Sequence, residues 1–122
     1  MGEHIVGSVA DIPEDAGLVV NVGSRSIGVF RVRDRFYALR NVCAHQGGPV
    51  CTGRLFPALR AEIMPSGKVR EYYDYEQMVV ACPWHGWEYD LATGKCLADE
   101  SRRVAVYPTR IDGDQIMVTL PD

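Results

Sequence analysis

Two short segments, Cys43-Ala44-His45 and Cys82-Pro83-Trp84-His85, each place one cysteine just ahead of one histidine. Two thiolates and two imidazoles in this mirrored arrangement point to one metal centre. Any fold that uses them must bring two loops face to face across the 36 residues that separate His45 from Cys82. Glycines follow each segment, Gly47 and Gly48 in the first and Gly86 in the second. Lacking Cβ, they let the backbone turn tightly and aim N–H groups at an anionic sulfur.

The rest of the chain reads as strands and turns that support those loops. His4 to Val9 predicts a first edge strand, and Ile12 to Gly17 a loop. Runs rich in Val, Ile, Phe and Tyr, broken at Gly23-Ser24-Arg25 and Arg33-Asp34-Arg35, predict antiparallel strands near 18–22, 26–33 and 35–41. The third of these delivers Cys43. Val50 to Phe56 is expected to return as a strand, and residues 57–77, with two prolines and the turn Pro65-Ser66-Gly67-Lys68, read as a hairpin-like insertion. It ends in Arg70 to Tyr75, whose aromatic residues could pack on the ligand-binding lobe; the insertion as a whole reads as a solvated elaboration, with a partner-docking surface as the alternative. Met78 to Ala81 predicts a short buried strand leading to Cys82, and Val104–Ile111 with Gln115–Leu120 a final hairpin around Asp112-Gly113-Asp114. No stretch has helical periodicity. The expected fold is mainly β, an antiparallel sandwich or barrel base with a small ligand-binding lobe at 43–90, in one domain spanning 1–122.

Four such ligands suit either zinc or an iron-sulfur cluster. Zinc sites with two cysteines and two histidines usually group Cys with Cys and His with His. Here each segment offers one of each, which favours a [2Fe-2S] cluster with one iron held by thiolates and the other by imidazoles.

At these residues the sequence resembles the Rieske family: CxH with glycines and Pro49, then CPWHGWEYD, match the two cluster loops of Rieske ferredoxins and of oxygenase Rieske domains. The resemblance implies that Cys43 and Cys82 bind the inner iron, and His45 and His85 the outer one. It implies that the Tyr89 hydroxyl bonds a ligand sulfur. Trp87 stands where high-potential members carry a serine donor, so a potential of roughly -150 to 0 mV is expected. The extra cysteines that brace the loops in respiratory members are replaced by Gly48 and Trp84. The spacing between the loops is longer than the family pattern, because of the insertion at 57–77.

The remaining residues narrow the function. Cys51 and Cys96 are expected to be reduced thiols, and His4 an exposed histidine. A net charge of -3 and a pI of about 5.6 argue against nucleic acid, which calls for a basic face. The N-terminal residues carry no basic leader and no apolar run of membrane-spanning length, so no membrane and a cytoplasmic location are expected. With three histidines in all, two of them assigned to the cluster, the chain cannot also build a two-histidine, one-carboxylate iron site; no GxGxxG fingerprint is present. No catalytic site and no small-molecule substrate are expected. The resemblance implies a one-electron carrier between an NAD(P)H-dependent flavoprotein reductase and a terminal oxygenase. The alternatives are the small Rieske-like subunit of a nitrite reductase and a zinc-stabilised binding module.

Overall fold

The computed structural model describes residues 2–44, 47–84 and 86–121. Among these residues ten strands form three sheets. β1 (Gly2–Ser8), β9 (Thr109–Asp112) and β10 (Gln115–Leu120) make the first, in the order β1-β10-β9. The second runs β2-β3-β4-β8, from β2 (Ala16–Val22), β3 (Arg25–Val32), β4 (Arg35–Arg40) and β8 (Val106–Tyr107). The third is β5-β6-β7, from β5 (Arg54–Ile63), β6 (Val69–Ala81) and β7 (Glu88–Asp90). All pairings are antiparallel.

The second sheet is the shared middle layer, and its alternating side chains show this directly. On β3, Ile27 and Val29 enter one core with Val6, Ile116, Val118 and Leu120 of the first sheet. Phe30 and Val32 enter the other, with Met78, Val80 and Tyr89 of the third sheet. On β4, Ala38 and Leu39 divide in the same way. The second core also takes in Cys43, Cys51, Cys82 and Cys96, so the cysteine loops are anchored in packed apolar surroundings. It extends past residue 90 to Leu91 and Val104.

The strands at 18–22, 26–33 and 35–41 appear with slightly shifted ends, and Ile116, Val118 and Leu120 alternate inward as expected. Two expectations are corrected, and the insertion takes the solvated form. Val50 to Thr52 is a 3-10 turn, not the start of a strand: the Pro49 carbonyl accepts from the Thr52 amide and hydroxyl, and pairing begins only at Arg54. The segment Val104–Ile111 is not one strand. Pro108, which has no N–H to give, divides it between two sheets, β8 against β4 and β9 against β10. The insertion is a continuous extension of β5 and β6, but its aromatic end does not pack down. Partners run from Pro57–Met78 directly to Ala58–Asp74, so residues 75–77 bulge out of β6. Tyr73 and Tyr75 are left 61% and 56% exposed.

Candidate metal centre

The two loops are built on one hydrogen-bond frame. In the first, the Cys43 amide donates to the Gly48 carbonyl (2.7 Å) and the Gly47 amide to the Cys43 carbonyl (2.9 Å). In the second, the Cys82 amide donates to the Trp87 carbonyl (2.7 Å) and the Gly86 amide to the Cys82 carbonyl (2.9 Å). Each cysteine therefore bonds the residues four and five places ahead of it. Gly47 and Gly86 occupy the same place in the two frames, with φ of +75° and +71°, where a side chain would be strained. Two loops of equal span but different sequence thus offer a cysteine in the same local geometry.

Both cysteines are buried, Cys43 at 5% and Cys82 at 2% exposure, whereas Ala44, Pro83 and Trp84 at the loop tips are exposed. The sequence assignments of His45 and His85 lie outside the described residues. Tyr89 is fully buried, with its hydroxyl 3.1 Å from the Cys43 sulfur. The Ala44 amide donates to the same hydroxyl oxygen at 3.2 Å, and against a Cys43 thiolate the Tyr89 hydroxyl is the one group of the pair with a proton to donate. Burial first, and then the bond to Cys43, hold this phenol well above its ordinary range. A tyrosine kept protonated is a dependable donor.

Neighbouring residues fix the loops in place. Asn41 accepts from the Cys51 amide (2.8 Å) through its side-chain oxygen and donates to the Ser26 hydroxyl (3.0 Å), tying both ends of the first loop to β3. Sequence reasoning missed Asn41, whose sole signal was an amide placed between a strand and Cys43. The Arg102 guanidinium lies over the Trp87 ring, which packs on the second core. Trp84 lies against Gly48. Cys51 and Cys96 are buried and neither is in a disulfide; His4 is exposed on β1.

Two buried cysteines on twin loops, one of them hydrogen-bonded to a buried phenol, define a metal-binding β domain whose donor set suits a thiolate-held cluster. Residues 4–119 match the Rieske-like [2Fe-2S] domain. The chain belongs to that family, whose members carry a [2Fe-2S] cluster. It is 28% identical over 115 residues, 93% of this chain and 90% of the relative, to the 3-phenylpropionate/cinnamic acid dioxygenase ferredoxin subunit of Shigella flexneri serotype 5b. The fold is shared with the ferredoxin of carbazole 1,9a-dioxygenase from Nocardioides aromaticivorans IC177, at a TM-score of 0.74, 21% identity and 97% coverage of both chains. It is also shared with a candidate NADH-dependent nitrite reductase small subunit from Mycobacterium tuberculosis, at a TM-score of 0.74, 20% identity and coverage of 96% of this chain and 93% of that one.

Proposed function

We propose that residues 1–122 form a single Rieske [2Fe-2S] domain, with the cluster-binding lobe at 43–90, that carries single electrons between proteins. In this reading Cys43 and Cys82 hold the inner iron, and His45 and His85 the outer iron. The observation that carries it is the shared frame of the two loops, which presents two buried thiols in matching geometry. Once bound, the cluster supplies a one-electron site more easily reduced than an all-thiolate cluster, because two imidazoles in place of two thiolates remove negative charge. The chain's own part is to bury the sulfurs, to donate a hydrogen bond from Tyr89, and to leave the loop tips exposed at the surface. His4, the remaining histidine, is exposed on β1, and the relatives that are ferredoxin subunits of a dioxygenase support a carrier with no catalysis of its own.

The relatives that are dioxygenase ferredoxin subunits support a place between a flavoprotein reductase and a terminal oxygenase. A role as a nitrite reductase small subunit rests on shared fold alone. Among the described residues no helix is long and apolar enough to cross a membrane, and the reading is of a cytoplasmic carrier.

The test is anaerobic stopped-flow mixing of the reduced holoprotein with ferricytochrome c. One electron delivered per chain is expected, and no transfer would overturn the reading. The assignment of partners is tested by whether the protein restores NADH-driven turnover to a terminal oxygenase and its reductase. Stable co-purification with a large sirohaem subunit would instead assign it to a nitrite reductase.

A further inference from the structure

Beyond its bulge, the β5–β6 ribbon stands clear of both cores, and Leu59 to Ile63 are all exposed. Its cross-strand pairs sort by face. Leu59–Tyr73, Ala61–Glu71 and Ile63–Val69 share one face; Arg60–Tyr72 and Glu62–Arg70 share the other. The first is largely apolar yet uncovered, with Leu59 at 60%, Ile63 at 80%, Val69 at 64% and Tyr73 at 61% exposure. Among the described residues no strand pairs with the outer edge of β5. Pro57 guards the inner half of that edge, whereas the outer half carries no proline, bulge or lysine to blunt it.

From this arrangement we propose that β5 is a self-association strand and that its occupant is a second copy of this chain, paired antiparallel about a twofold axis at Ala61. The sequence Leu59-Arg60-Ala61-Glu62-Ile63 is complementary to itself in that register. Leu59 meets Ile63 of the second copy, which continues one apolar stripe across four strands from Tyr73 to Val69 of the second copy. On the opposite face Arg60 meets Glu62 of the second copy, and the symmetry supplies this ion pair twice. An unrelated partner would require no such antisymmetry of charge about a small central residue. The edge amides gain hydrogen bonds in the same step, as in other strand-addition contacts. Within one chain Arg60 already bonds Asp74 (2.6 Å) and Glu62 bonds Arg70 (3.1 Å), so the dimer extends a charge ladder whose side chains are already positioned.

The contact leaves the cysteine loops open. Arg54, which pairs with Ala81 beside Cys82, begins β5, and Ala61 lies roughly 23 Å further along an extended strand. Electron transfer and dimerisation are therefore separable.

The experiment is sedimentation of the cluster-loaded protein over a wide concentration range, compared with a chain mass of 13.6 kDa. The wild type is expected to move reversibly to twice that mass. Arg60→Glu alone, or Glu62→Arg alone, places like charges opposite each other across the axis and should weaken the dimer about tenfold or more. The double swap Arg60→Glu with Glu62→Arg should restore it, although it breaks the pairs to Asp74 and Arg70 within each chain. Unchanged cluster absorbance and circular dichroism show that each variant is folded. A monomer at every concentration would overturn the proposal, including one whose ribbon residues bind an oxygenase or reductase. So would a dimer indifferent to the single substitutions, or one not restored by the swap.

Discussion

The indole of Trp84 packs against the backbone of Gly48, so closely that a methyl group on Gly48 would lie 2.7 Å from the ring. These are the two positions at which the Rieske resemblance implies bracing cysteines in respiratory members. Here the loops are held together by an aromatic ring on a glycine, without a covalent bond. Gly48→Ala should drive the ring off its seat at a cost of about 1–3 kcal/mol, and Trp84→Ala should remove the contact outright. Both variants should lose iron to a chelator several-fold faster than the wild type, followed by absorbance, and equal rates would show that the contact braces nothing.

With Cys43 as a cluster ligand, the Tyr89 hydroxyl is expected to raise the electron affinity of the site through its 3.1 Å contact with the sulfur. Removing the hydroxyl with Tyr89→Phe leaves the packing of the ring but withdraws a donor from the ligand sulfur, which stabilises the more negative, reduced state less. The midpoint potential should fall by roughly 60 mV, tenfold in a one-electron equilibrium. Spectroelectrochemical titration of the two proteins measures it; an unchanged potential would mean that the hydroxyl only fills space.

Much of this site was legible in the residues themselves. Cys43, Cys82 and Tyr89 stand out in the sequence because ligand chemistry is local, and the structure buries all three and sets the Tyr89 hydroxyl against the Cys43 sulfur; the glycines stand out because sharp turns need them. The strands around 18–41 were equally plain from β-branched and aromatic runs. What could not be read was long-range. Asn41 matters only because folding brings Ser26 and Cys51 to it. The break at Pro108 depends on which sheet each half joins. The outward bend of Tyr73 and Tyr75 follows from a bulge of residues 75–77, and no periodicity announces a bulge. The places of His45 and His85 rest on the motif alone.

Gly53 joins the two halves of the site. A Cβ there would stand 1.6 Å from the carbonyl oxygen of Ala81, the residue before Cys82. No side-chain rotation relieves a clash with backbone. Gly53→Ala should therefore destabilise the protein by more than about 3 kcal/mol and depress cluster content on expression, read by thermal unfolding and iron analysis. A melting temperature within a few degrees of the wild type would contradict so close an approach.

Cys51 makes stability depend on alkaline pH. Burial against β3 pushes its thiol up to about 12 from an ordinary value of 9.0. The folded value lies above the unfolded one, so this contribution is complete below pH 9 and is lost as pH rises toward 12. The unfolding free energy should fall across that window by up to about 1.4 kcal/mol per pH unit more than in Cys51→Ala. Denaturant titrations of both proteins at several alkaline pH values provide the comparison. Parallel slopes would show that the thiol is not protected from solvent.

The central claim is mixed ligation of a [2Fe-2S] cluster by Cys43, Cys82, His45 and His85, and pulsed EPR during a redox titration tests it most directly. Two predictions apply to the purified protein: a signal that appears only on reduction and carries couplings from two coordinated nitrogens, and a midpoint above about -150 mV. His45→Cys or His85→Cys should remove one coupling and lower the potential. A cluster without nitrogen couplings and with a midpoint near -400 mV, the level of all-thiolate clusters, would contradict the account, as would a colourless protein containing zinc.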